Sequence, residues 1–408
     1  MLLLLYQVIE YRLATTTLPT QMRKNRIENG RVKFTVDHEF EATLTLMGDG
    51  PNVPWSLLDI NILVEDKETG DGKSLVHQFQ VQFIHELLQS RLRDCDNPLL
   101  ELYTVLHTFS QSLQLEVLYS QTKRLCQERL GELIRVEEYV TGRSLTISYW
   151  KDLASRELKS DLGYRVTAQV CTSHAGGSEV IGKPLQILHN PPLSTKDSEM
   201  AEQSIRSDHL SLEKLLTHTI YMRTRTRLSE LKVELQPKLG HQQTDCVVQG
   251  SPPVLHLPIL SPCLRSEQLL VTVDTRTGSL QAHIPQVMTM IYIFLIYLNY
   301  LSSLLQDDPP APLMNELQNT LNGDKSRFEA AIGELRFWIT QRRCQKTLQH
   351  LPVSVYDKLP IMFAADSPMT RLSKHKFFLR LHKHPNSWIV VEFKVFSGIS
   401  IESHIFKT

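Results

Sequence analysis

The sequence predicts an α+β fold of two successive modules, each an antiparallel sheet packed with long helices. Three observations carry that prediction. Apolar residues alternate at period two in clusters, as strands with one wet face require. Each cluster gives way to apolar residues at helical spacing. The order of sheet, helix pair and sheet also occurs twice, on either side of a polar, Gln-rich linker at 236–252.

Residues 1–28 open on an apolar run at 1–10 that is too short, and too poor in basic residues, for a signal peptide. The run reads as the end of an upstream amphipathic helix followed by a linker, so the chain is expected to begin inside a longer protein. The first module covers 29–235. After the Asn29-Gly30 turn, Val32, Phe34 and Val36 form one strand and Phe40, Ala42, Leu44 and Leu46 a second. Leu58, Ile60, Ile62 and Val64 form a third. From Ser74 to Leu92 the period becomes helical, with Val76, Phe79, Phe83 and Leu87 on its stripe. A second helix starts near Pro98, a favourable first-turn residue. It runs towards Leu130, because no Gly or Pro interrupts it before Gly131. Strands return at 133–140, 144–150, 164–170 and 185–188, and 207–235 is another long helix.

The second module covers 253–408. Its strands fall at 254–259, 268–274 and 279–284, its helices at 313–322 and 325–349, and a hairpin of 377–382 and 388–396 follows. The last strand is expected to stop without a closing element, as in a truncated module.

Composition narrows the function. Lys and Arg together number 44, as do Asp and Glu, and the sequence pI is near 7.3. A protein that grips phosphates usually carries a basic excess or stripe. Direct nucleic-acid binding is therefore not expected, and protein partners are. Six cysteines occur with no C-x-x-C pair, which argues against a zinc or redox motif and for a reducing compartment.

No catalytic, cofactor-binding or metal-ligating set emerges. His382 and His384 flank a turn without a Cys or carboxylate at ligand spacing. His85-Glu86 lacks the second histidine of a zinc-protease helix, and Gly176-Gly177 lacks the rest of a phosphate loop. The chain reads as no enzyme.

Two L-x-x-L-L patterns occur, Leu212-Glu-Lys-Leu215-Leu216 and Leu301-Ser-Ser-Leu304-Leu305. On a helix the three leucines form one ridge, which nuclear-receptor grooves accept and a protein's own core accepts equally well. Leu212, Leu215 and Leu216 are thus candidate partner-binding residues whose default is the core. Trp55 and Trp338 are candidate anchors on the same terms, since large aromatics dominate interfaces and cores alike. The run 287–305 holds no charge and just reaches the ~20 residues that span a bilayer. Asn299 within it, and Asp307-Asp308 beside it in place of basic anchors, argue against a membrane helix. It is read as an apolar insertion, with a membrane-tethered adaptor as the alternative function.

A resemblance covers nearly the whole chain in one order. Leu5-Tyr-Gln-Val-Ile-Glu-Tyr-Arg-Leu13, Gly30-Arg-Val-Lys-Phe34, His38-Glu-Phe-Glu-Ala-Thr-Leu-Thr45 and Val53-Pro-Trp55 resemble the Mediator subunit 14 family. So do Ile62-Leu-Val-Glu-Asp-Lys-Glu-Thr-Gly-Asp-Gly72, Leu113-Gln-Leu-Glu-Val-Leu118, Lys183-Pro-Leu-Gln-Ile187, Phe337-Trp338 and His350-Leu-Pro352. The match lapses between about 281 and 306, which marks the apolar run as a translated non-coding stretch or alternative exon. The resemblance implies a non-catalytic architectural subunit in the nucleus, here as an N-terminal-half fragment. It implies contacts with other Mediator subunits of the head, middle and tail, and relay of activators to RNA polymerase II as a transcription coregulator. Nuclear receptors or other activators would join the partners through L-x-x-L-L; no cofactor and no membrane are expected.

Overall fold

A computed structural model describes residues 2–48, 50, 53–70, 74–131, 133–151, 153, 163–171, 184–206, 210–239, 246–285, 309–348, 350–357, 372, 375–395 and 399–407. The apolar run 287–305, the second L-x-x-L-L pattern, Asp307-Asp308 and Gly176-Gly177 lie outside them. The fold is α+β, and its plan is an alternation of four-stranded antiparallel meanders with helix pairs.

Helix α1 (Leu2–Thr15) leads into the first sheet, β1 (Asn25–Glu28), β2 (Arg31–Val36), β3 (Phe40–Leu46) and β4 (Trp55–Ile62). The Asn29-Gly30 pair joins β1 to β2, with φ of 51° and 72°. Both angles are left-handed, as a two-residue hairpin needs to match the strand twist, and Asn and Gly tolerate them at least cost. β1 was not among the predicted strands. Its residues Asn25-Arg26-Ile27-Glu28 bury nothing fully, because an edge strand needs no apolar alternation. β2 and β3 do alternate, and Val32, Phe34, Val36, Phe40, Ala42, Leu44 and Leu46 all face one core.

That core is closed by α2 (Gln78–Asp94) and α3 (Pro98–Leu125), which continues as a wide turn to Leu130. The expected stripe of α2 is corrected here. Ile84, Leu88 and Leu92 are its buried residues, whereas Phe79 and Phe83 stand 75% and 67% exposed. Two apolar rows share this helix, about one residue apart, and sequence spacing cannot say which row meets the sheet.

The second sheet is β5 (Ile134–Val140), β6 (Ser144–Tyr149), β7 (Tyr164–Gln169) and β8 (Gln186–Asn190). The single helix expected at 207–235 is instead preceded by α4 (Thr195–Arg206) and runs as α5 (Leu212–Leu235). The third sheet is β9 (Val247–Gln249), β10 (Val254–Leu257), β11 (Leu269–Val273) and β12 (Leu280–His283), followed by α6 (Ala311–Asn322) and α7 (Phe328–Leu348). The fourth is β13 (Val353–Tyr356), β14 (Lys376–Leu381), β15 (His384–Val395) and β16 (Ile399–Lys407). β16, a strand not among those read from the sequence, pairs with β15 from Val395↔Ile399 to Ser387↔Lys407.

The chain divides into two compact units, residues 1–223 with 275–278 and residues 224–274 with 279–408. The change falls inside α5, while the stretch 236–252 opens on a short 3-10 turn and contains β9. Residues 275–278 belong with the first unit because Trp150 holds them. Its indole Nε1 donates to Thr275 O at 2.9 Å, and a Cβ on Gly278 would meet the indole ring at 2.6 Å. Gly278 also has φ +75°, so both its space and its backbone demand glycine.

Candidate interaction surfaces

The ridge of Leu212, Leu215 and Leu216 sits in the first turns of α5, and all three leucines are at most 3% exposed. The local sequence explains the orientation. Ser211 caps the helix, its Oγ accepting from Lys214 N at 3.2 Å. The fully enclosed Gln121 of α3 accepts from Leu212 N at 2.9 Å and donates to Leu210 O and Asp66 Oδ1 at 3.1 and 3.0 Å. Asp66 in turn folds its own loop, accepting from Glu68 N and Thr69 N. One buried amide thus ties α3, the loop after β4 and the start of α5, turning the ridge inward. Sequence reading overlooked Gln121, whose only signal was a polar residue within a long apolar helix.

Trp55 is 1% exposed and part of the first sheet's core. Its strand β4 lies at the edge of that sheet, and α2 closes the edge with side chains. Gln89 Oε1 accepts from Leu57 N at 2.7 Å and His85 Nε2 donates to Leu57 O at 3.0 Å. His85 therefore satisfies backbone that would otherwise invite another strand. Trp338 differs. On α7 its neighbour Phe337 points inward, stacked on His375 at 3.8 Å and edge-on to Phe393, while Trp338 itself is half-buried.

A buried polar cluster lies in the second sheet's share of the first unit. Arg223 of α5 is 7% exposed and donates to Tyr149 Oη at 3.1 Å and to Pro191 O, with its guanidinium over the Tyr164 ring. Beside it, both ring nitrogens of His189 are enclosed without a hydrogen-bond partner. Burial first, and the Arg223 charge second, hold His189 down at about 4. Between that value and the ordinary one near 6.5, the unfolded chain takes up a proton that the folded chain refuses. The stability present above pH 6.5 is therefore expected to fall as pH drops towards 4. In thermal melts across pH 4 to 7, His189→Phe should flatten that slope; an unchanged slope would refute the assignment.

The first unit also contains a cleft of about 200 Å³. Leu63, Val64, Pro184, Leu185, Ile205 and Leu210 make its apolar lining. Asp37, Glu39, Glu65 and Glu202 stand around them, with one ammonium, Lys67. Glu39 is fixed by His107, whose Nδ1 lies 2.6 Å from its carboxylate, and Lys24 holds Asp37 at 2.7 Å. No sequence motif announced this cleft, because its walls come from a turn, a strand exit and α4.

Among the described residues, no group of three His, Cys, Asp or Glu could hold a metal ion. His382 lies at hydrogen-bonding distance, 2.9 Å, from Ser354 Oγ. Among the same residues, no helix is long and apolar enough to cross a membrane.

Comparison with known proteins gives matches in chain order. The family model described as Mediator complex subunit MED14 matches residues 1–48. That of Mediator of RNA polymerase II transcription subunit 14, RM2, matches 126–210, and the Med14 RM domain matches 213–299 and 296–344. Together they cover more than half of the chain. A protein of Drosophila melanogaster named Mediator of RNA polymerase II transcription subunit 14 is 50% identical over 395 residues, 96% of this chain and 23% of its own length. The proteins of that name from Anopheles gambiae and Homo sapiens are 49% and 40% identical, over 96% and 95% of this chain and 22% and 25% of their own lengths. The chain thus spans about a quarter of the length of the relatives it matches.

Proposed function

Because the chain belongs to the Mediator subunit 14 family, we propose that it is a non-catalytic architectural part of Mediator, acting in the nucleus in transcription. The single observation that carries this reading is the ordered family match across sheets and helices alike. In this reading the chain binds other Mediator subunits, links the head, middle and tail, and so relays activators to RNA polymerase II. The fold supports it: compact sheet-and-helix units offer the broad surfaces a scaffold needs.

Among the candidate anchors, Trp338 is the one that is only half-buried, so it is assigned a partner contact. A tagged full chain recovered from nuclear extract should bring Mediator subunits with it. Trp338→Ala should lower that recovery about ten-fold, a loss typical of an aromatic anchor, without moving the thermal midpoint. Recovery without any Mediator subunit would end the reading.

The membrane-tethered alternative rests on the uncharged run 287–305. The Med14 RM domain match comes in two pieces that overlap at 296–299 and together cover the whole run, which supports a segment of a family module over an anchor. Alkaline extraction separates the two, since only an anchored chain stays in the membrane pellet.

A further inference from the structure

We propose that the acidic cleft of the first unit receives an arginine side chain of a partner protein. Size makes the first selection. A space of about 200 Å³ falls below the ~300–1,000 Å³ of small-molecule sites and suits one long side chain. The lining makes the second. Val64 and Leu185 are almost fully buried beneath the opening, with Leu63 and Ile205 beside them. An aliphatic stem can lie along such a wall while its charged head stays at the rim.

Charge makes the third selection. Asp37, Glu39, Glu65 and Glu202 line the cleft with Lys67 and His38, and with Lys24 on Asp37 and His107 on Glu39 included, four carboxylates meet two ammonium groups and two imidazoles. Lys67 lies 4.0 Å from Glu65, and the Glu65 carboxylate is itself largely exposed at the opening. A cationic guest is therefore favoured. Among cations, guanidinium is less strongly hydrated than ammonium and presents planar paired donors to carboxylates, so arginine loses less on entering. The proposal rests on the scaffold reading and narrows it to one contact.

The test uses the full chain with its Ile, Leu and Val methyl groups labelled, and three probes: acetyl-arginine amide, acetyl-citrulline amide and acetyl-norleucine amide. Saturable shifts confined to Leu63, Val64, Leu185, Ile205 and Leu210 are expected with the arginine probe. Citrulline has nearly the same shape without the charge, and should bind about ten-fold more weakly. The double variant Glu65→Gln, Glu202→Gln should weaken the arginine probe by a similar factor while its thermal midpoint holds. The citrulline comparison needs no variant, so a misfolded mutant leaves the test intact. No shifts at these methyls, equal binding of arginine and citrulline, or preference for norleucine would each overturn the proposal. If Mediator subunits still co-purify in that event, the scaffold reading survives and the cleft alone is lost.

Discussion

Replacing Leu215 by alanine is expected to lower the unfolding free energy of the first unit by about 2–5 kcal/mol, the range for a leucine lost from a packed core. Leu215 is 1% exposed, and Leu212 and Leu216 beside it are equally enclosed. The start of α5 cannot swing outward cheaply. Doing so would strip Leu212 N and Leu210 O from Gln121, and each buried polar group left unpaired costs about 1–3 kcal/mol. A receptor groove that used this ridge would have to supply that energy together with the lost burial. Urea unfolding gives the check: the midpoint should drop while the slope stays the same. If Leu215→Ala left the midpoint in place and abolished capture of an activator, the ridge would be a docking motif after all.

Trp55→Ala should be at least as damaging, at about 3–5 kcal/mol. The indole fills the first sheet's core together with Phe34, Phe40 and Leu57. Its strand is the one whose outer edge Gln89 and His85 close. A cavity there would loosen the strand and expose an edge that pairs readily with other chains. The expected result is therefore lower stability with more aggregation, read from the denaturation midpoint and from light scattering during heating. Trp338→Ala should show neither. A Trp55→Ala chain of unchanged midpoint would contradict the core assignment and reopen its use as an anchor.

Much of this fold could be read from the residues. The strands β2 and β3, the helices after them and the Asn29-Gly30 hairpin follow from period and turn chemistry, which act over neighbouring residues. Two of the elements that escaped share a physical reason. β1 is an edge strand without an apolar face, and β9 is only three residues long, so neither repeats a pattern long enough to register. In α2 the pattern is present twice, and period alone does not separate the row containing Phe79 and Phe83, which stays exposed, from the row that is buried.

The candidate sites were less legible than the fold. A leucine ridge or a tryptophan is the same string of letters in a core and at an interface, and only its neighbours separate the two. Gln121, His85 and Arg223 act through partners tens of residues away in the chain, as with Arg223 and Tyr149. The acidic cleft likewise needs residues 37 and 202 side by side.

By itself, then, the sequence determined the α+β class, most strands and helices, the flat charge balance and the family, since these rest on local pattern and on residue order. Tertiary structure decided which helix row is buried, that Leu212, Leu215 and Leu216 face inward, that Trp55 is core while Trp338 stays half-open, and that carboxylates converge on one cleft. Those outcomes depend on packing between distant segments, where burial and hydrogen-bond satisfaction select one face of an element whose local pattern allows two.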